Sequence, residues 1–298
     1  MKWEGQRESD QIEDRRGSAG GGGLGGGGVR LPVGRGGVGL GTVAIALVAG
    51  WIFGINPMTI LGIIGGMDSG PAVTQQAEPA GPVQRDEATR FVSTVLASTE
   101  DAWEEAFRSA GSQYQKPVLV LYRGATRSAC GLGQAEMGPF YCPGDRKVYL
   151  DLDFFDVMRQ RLGAPGDFAQ AYVVAHEVGH HVQHLMGITD KVDAARRRMS
   201  EAQANALSVR LELQADCLAG IWAHSSQQAK GWIENGDLQE ALNAASQIGD
   251  DTLQRNAGGA VAPENFTHGT SAQRVRWFQK GYQSGQVKDC NTFEARQL

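Results

Sequence analysis

From Asp86 onward, apolar residues recur at helical spacing. In "DEATRFVSTVLASTEDAWEEAF" the side chains of Phe91, Val95, Trp103 and Phe107 fall on one face, which predicts a packing helix that opens a folded domain near Asp86. Two runs rich in β-branched and aromatic residues follow, "KPVLVLYRG" (Lys116 to Gly124) and "KVYLDLDFF" (Lys147 to Phe155). Each is bounded by glycine, proline or charge, and they read as strands on either side of a short loop. From Phe168 nearly to the C-terminus the pattern is helical. A little sheet followed by helices is the order of a mainly helical α+β domain.

The first 85 residues follow other rules. Residues 1–37 mix charges of both signs and then become "GSAGGGGLGGGGVR", with too much backbone freedom and too little apolar surface to fold, and are expected to form a disordered cytoplasmic tail. Between Arg35 and Asp68 no side chain ionises, and "VAIALVAGWIFGI" (Val43 to Ile55) with its flanks is long and apolar enough to span a bilayer. This predicts one transmembrane helix over residues 38–56. The charged and glycine-rich stretch before it, about 35 residues, is too long for the start of a cleaved signal peptide. Arg30 and Arg35 precede the apolar run and the first basic residue after it is Arg85, so the N-terminus is expected in the cytoplasm and the rest in the periplasm or at the cell surface. The proline-, alanine- and glutamine-rich residues 57–85 read as a linker, leaving 86–298 as the domain.

A net charge of −5 and the lack of a basic run interleaved with aromatics argue against nucleic acid as a partner. Four cysteines agree with an oxidising compartment and permit three pairings. Cys130 with Cys142 would close the glycine-rich excursion "CGLGQAEMGPFYC", leaving Cys217 for Cys290.

Candidate chemistry is concentrated in "VVAHEVGHHVQHLM", which holds four of the six histidines. On a helix His176 and His180 project from the same face, with Glu177 angled beside them, the HExxH arrangement of zinc peptidases. A third ligand is needed. Met186 stands where the pattern HExxHxxGxxH has its third histidine, His184 is a further turn along and too far round, and His181 faces elsewhere. Downstream, "SEAQANALSVRLELQADCLAGIWAH" opens with a candidate capping box, Ser200 with Gln203, and places Glu212 and Asp216 four apart. If this helix packs on the first, Glu212 completes the coordination and Asp216 accepts a hydrogen bond from the outer nitrogen of His176. Leu211, Leu213, Leu218 and Ile221 surround the pair, and burying two carboxylates without a cation is costly. Gly179 admits close approach of another backbone or of substrate. His224 is expected to cap the last carbonyls of its own helix. His268, beside Gly269, is either a hydrogen-bond donor to a developing oxyanion or a cap of the helix "SAQRVRWFQKG", within which Arg274 could reach back to Asp216.

"HEVGHH" followed by "RLELQADCLAGIW" resembles the neutral zinc metallopeptidase family of bacterial membrane-anchored proteins, within the HExxH-plus-ExxxD peptidases that include thermolysin. The likeness extends to "MKWEGQRESDQIEDRRG", "CGLGQAEMGPFYCPGDRKVYLDLDFF" and "FTHGTSAQRVRWFQKGYQSG". It implies a zincin-like domain with one Zn2+ on His176, His180 and Glu212, exposed outside the cytoplasm. The reading that follows is a membrane-anchored zinc endopeptidase acting on a peptide or protein, with Glu177 as general base, Asp216 supporting a ligand and His268 as donor. The competing expectation is a catalytically silent, zinc-stabilised module for cell-envelope partners. There a fourth side chain such as His184 or His268 would close the coordination and Glu177 would have no task.

Overall fold

A computed structural model describes residues 1–17, 80–134, 138–258 and 260–298. The sheet elements are β1 (Ile12–Asp14), β2 (Val118–Tyr122), β3 (Ala125–Ser128), β4 (Gly131–Gln134), β5 (Phe140–Cys142) and β6 (Lys147–Asp151). The helices are α1 (Glu87–Ser109), α2 (Asp153–Gln160), α3 (Asp167–Leu185), α4 (Ile188–Arg196), α5 (Glu201–Lys230), α6 (Asp237–Gln247), α7 (Asp250–Asn256) and α8 (Ser271–Ser284). The molecule is thus mostly helical with two small sheets.

The two predicted strands pair in parallel, from Val118 opposite Lys147 to Tyr122 opposite Asp151. Their interior is almost continuously apolar because both faces are covered, as parallel strands require. β5 joins β6 antiparallel and β1 joins β2 parallel, giving the order β1-β2-β6-β5, while β3 and β4 form a separate hairpin. Helix α3 is the central element, touching α1, α4, α5, α6, β5 and β6. Helix α5 begins with the predicted capping box of Ser200 and Gln203 and packs along α8. The contact between α5 and α8 is backbone on backbone. A Cβ at Gly281 would stand 1.9 Å from the carbonyl oxygen of Cys217, so this crossing admits only glycine. The disulfides are Cys130–Cys142 and Cys217–Cys290, the pairing favoured above.

Two expectations about the N-terminal third are corrected. The first 17 residues are not a free tail. Ile12 and Asp14 pair with Leu119 and Leu121, Trp3 packs edge-on against Phe91, and the charges of "EDRR" turn inward. Arg16 binds Asp14 and Thr89 at 2.7 Å and Asp86 at 2.6 Å, while buried Glu100 takes hydrogen bonds from Ser9 at 2.5 Å and Arg7 at 2.9 Å. Mixed charge reads as solvated in sequence; here Arg7, Glu13, Arg15 and Arg16 each have a partner in the domain. The rest of the glycine-rich stretch lies outside the described residues.

The membrane-spanning helix and single-pass topology are also overturned. Among the described residues no helix is long and apolar enough to cross a membrane, and residues 38–56, where the span is predicted, lie outside the described residues. The pairing of β1 with β2 and the bridge from Asp14 to Gly81 join residues 1–17 and 80–298 in one folded body. A single crossing that leaves the N-terminus in the cytoplasm and the domain outside is incompatible with that body. Hydropathy registers the apolar run but carries no information about what its flanks pair with.

A fragment starting at Asp86 is therefore expected to be less stable than the full chain by on the order of 3 kcal/mol, from lost apolar burial and from a buried Glu100 stripped of partners. Joining residues 1–17 to residue 80 through a short glycine-serine linker should restore it, since loop length enters closure entropy only logarithmically. Urea midpoints of the three proteins check this; an Asp86 fragment as stable as the full chain would refute it.

Candidate metal centre

With 3.6 residues per helical turn, His176 and His180 lie about one turn apart on the same face of α3, and α5 crosses that face with Glu212 opposite them. The nitrogens and the carboxylate converge: His176 Nε2 lies 3.2 Å from His180 Nε2, Glu212 Oε2 lies 3.1 Å from the first, and 3.4 Å from the second. Neighbouring donors around a tetrahedral ion with bonds of about 2.0–2.1 Å are separated by roughly 3.3 Å, so the triangle has the dimensions of three zinc ligands. Among the described residues these three form a group able to hold a metal, and no fourth side chain joins it.

The partners of the outer nitrogens select the tautomer that each ring takes when neutral. His176 Nδ1 donates to Asp216 Oδ1 at 2.9 Å and His180 Nδ1 donates to Gln183 Oε1 at 2.9 Å. Each neutral ring then presents an unprotonated Nε2 inward, beside a carboxylate oxygen. With both rings neutral, three acceptors would face one another, so the triangle calls for a positive charge among them, either a proton or a metal ion.

Charge in the surroundings is arranged to the same end. Asp216, fully buried, accepts from Tyr172 Oη at 2.5 Å and from Arg274 through Nε and Nη2, both at 2.9 Å. Burial pushes its carboxyl up, but the charges of Arg274 and His176 outweigh this and hold it at about 2. Burial likewise raises Glu212, yet the charge of His180 and hydrogen bonds from both histidines keep it well below the carboxylate range. Glu177 differs. It is buried on α3, burial raises its pKa with only partial relief from His180 and His176, and among the described residues its carboxylate makes no hydrogen bond.

His268 stands at the rim, its ring half-exposed. Asp250 Oδ2 accepts the backbone N–H groups of Thr267, His268 and Gly269 at 2.7, 2.6 and 3.0 Å, and Oδ1 faces His268 Nδ1 at 3.2 Å. The carboxylate thus holds both the loop and the ring. Desolvation lowers the His268 pKa, but Asp250 more than compensates and raises it. His268 does not cap α8; Thr270 does, with Gln273. Other expectations resolve similarly. His184 and His181 both face Tyr141 Oη, at 2.8 and 3.0 Å, and His181 Nε2 donates to Gln115 O at 2.6 Å, so neither approaches the triangle. Gly179 makes room for α5: a Cβ there would lie 3.0 Å from Ala215 O. His224 lies within α5, which runs on to Lys230, and its Nδ1 donates to Tyr282 O of α8 at 2.7 Å.

Sequence reasoning missed Gln183, Tyr172 and Asp250. Tyr172 and Gln183 lie four residues before His176 and three after His180, a spacing that could have drawn attention to them. Asp250 carries no such signal.

Residues 1–293 match the family described as "Putative neutral zinc metallopeptidase". The chain belongs to that family. Among its relatives, the protein YpfJ of Escherichia coli, described as uncharacterized, is 53% identical over 293 residues, covering 98% of this chain and 99% of its own. Two uncharacterized mycobacterial proteins, Mb2605 of Mycobacterium bovis and Rv2575 of Mycobacterium tuberculosis, are each 40% identical over 222 residues, covering 71% of this chain and 74% of their own. No solved structure matches.

In the metal-free protein the pocket favours protons instead. Burial lowers the His180 pKa, but the charge of Glu212 and its hydrogen bond outweigh this and raise it to about 9. Its imidazolium therefore stabilises the metal-free fold fully below the unfolded value of about 6.5, and that contribution is lost as pH rises through about 9. Because zinc requires the unprotonated ring, binding at pH 7.5 should expel about one proton per ion from His180, and apparent affinity should fall with pH. Calorimetric enthalpies in buffers of different ionisation enthalpy measure this; an enthalpy independent of buffer would contradict it.

Proposed function

We propose that the protein is a zinc-dependent endopeptidase that hydrolyses a peptide or protein substrate. The observation that carries this is the pairing of a three-donor triangle that among the described residues has no fourth ligand with Glu177, a buried carboxylate beside it that makes no hydrogen bond to any of them. A closed structural site has no use for either. Among the described residues neither His184, held by Tyr141, nor His268, whose Nδ1 faces Asp250, joins the group of His176, His180 and Glu212.

His176, His180 and Glu212 would hold the ion, which would act as a Lewis acid that acidifies water and polarises the scissile carbonyl. Glu177 takes the proton from the attacking water and delivers it to the leaving amine. Its raised pKa suits both tasks, because a stronger base also becomes a usable acid. Asp216, itself neutralised by Arg274, keeps the proton of His176 on Nδ1 and so leaves Nε2 free to bind metal. His268, with Nδ1–H turned toward Asp250, would donate from Nε2 to the oxyanion that forms at the carbonyl as the imidazolium, a form that Asp250 favours.

The test is to purify the full chain, count zinc, and follow cleavage of a mixed peptide library before and after chelation. One zinc per chain and cleavage that stops with chelator and returns with zinc are expected; zinc without cleavage would favour the silent module. In the active protein, His268→Ala should lower kcat about 10²- to 10³-fold with little change in KM. A variant that folds, keeps zinc and turns over at the normal rate would remove His268 from the mechanism.

A further inference from the structure

Resting on the zinc reading above, we infer that Gln183 and Gln214 form an amide relay that sets the binding tautomer of His180 from a backbone anchor on the far side of α5. Both side chains are buried, Gln183 completely. The relay starts at two carbonyl oxygens, which can only accept. Gln214 Nε2 donates to Cys290 O at 3.0 Å, so its amide is oriented with Oε1 toward Gln183. Gln183 Nε2 donates to that Oε1 at 3.0 Å and to Leu211 O at 2.7 Å. With both protons of its amide committed, Gln183 presents only Oε1 to His180, 2.9 Å from Nδ1. An acceptor there forces the His180 proton onto Nδ1 and leaves the lone pair on Nε2, facing His176 and Glu212.

The two histidines are thus fixed by opposite means. His176 leans on a charged carboxylate, Asp216, whereas His180 leans on a neutral amide whose orientation is imposed by main chain. Neutral support adds no further negative charge to a pocket that already holds Glu212 and Glu177. The anchor is itself immobilised, because Cys290 is tied by its disulfide to Cys217 on α5, one turn beyond Gln214. Gln183 and Gln214 are positioning residues; neither reaches the metal.

The experiment uses the full chain, with zinc affinity read by competition against a chromophoric chelator at pH 7.5, the visible spectrum of the cobalt-substituted protein, and the metal-free melting temperature. Gln183→Met keeps length and apolar volume but removes the acceptor, and is expected to weaken zinc about 10- to 100-fold with altered cobalt bands. Gln214→Met, which never touches His180, should weaken zinc by a smaller but measurable factor. Gln183→Glu restores an acceptor and should recover most of the affinity, at a lower melting temperature because its carboxylate cannot donate to Leu211 O. Wild-type affinity and an unchanged cobalt spectrum in Gln183→Met would overturn the relay. Should that variant fail to fold, wild-type affinity in Gln214→Met together with no zinc binding in Gln183→Glu would overturn it equally. A wild type that takes up no zinc would instead defeat the zinc reading itself, and the relay with it.

Discussion

Replacing Glu177 with glutamine is expected to leave zinc content and fold intact while lowering turnover about 10²- to 10⁴-fold, the usual worth of a general base. The amide keeps the shape of the side chain but cannot take a proton from water near neutral pH. No structural loss should accompany this, because among the described residues the carboxylate makes no hydrogen bond that the amide would break. The wild-type pH profile supplies a second signature. Burial raises the Glu177 pKa above its ordinary value of 4.5, so kcat/KM should fall on an acid limb that begins above that value, as the base becomes protonated. Loss of that limb in the residual activity of Glu177→Gln would tie it to this residue. Equal peptide cleavage by the variant and the wild type would end the assignment and leave a zinc-binding module.

Glu212→Ala and His180→Ala are expected to lose zinc almost entirely, more severely than the roughly 10- to 100-fold typical of changes to residues that merely support ligands. Each removes one vertex of a triangle whose edges are 3.1–3.4 Å, and two remaining donors cannot enclose a tetrahedral ion. Loss of Glu212 also withdraws the largest influence raising the His180 pKa, so proton release on adding zinc should shrink together with affinity. Stability gives an independent reading. A ligand present at 1,000 times its dissociation constant stabilises by about 4 kcal/mol, so chelator should lower the melting temperature of the wild type and leave that of the variants unchanged. Full zinc in Glu212→Ala, with an unaltered cobalt spectrum, would refute the ligand set.

What was legible in the sequence was what a helix makes local. The i,i+4 spacing of His176 and His180, the same spacing of Glu212 and Asp216, and the capping box at Ser200 are properties of one segment each, and periodicity reports them. The reach from Arg274 to Asp216 needed only one further assumption, that two amphipathic helices pack. Asp250 was not legible, because its role arises where the start of α7 meets the loop before α8. Gln183 was not legible either, since its meaning depends on Gln214 and Cys290, 31 and 107 positions away. The N-terminal segment misled for a different reason. Charge alternation and neighbouring glycine make "QIEDRRG" look solvated, whereas Arg15 reaches Thr126 and the carbonyl of Arg127, and Arg16 reaches Asp86 and Thr89, in the domain.

The place of β1 also bears on the order in which the protein can be completed during synthesis. Ile12–Asp14 is made early, but its partner β2 ends at Tyr122, more than a hundred residues later. At translation rates of about 5–20 residues per second, the nascent segment waits on the order of 5–20 s before its strand can pair. Until then Arg15 lacks Thr126 and the carbonyl of Arg127, and once β2 has formed its open edge is a template for any extended chain nearby. Slowing elongation between β1 and β2 would prolong the first exposure, and the ribosome becomes, for that interval, the element that keeps the two halves of the sheet apart.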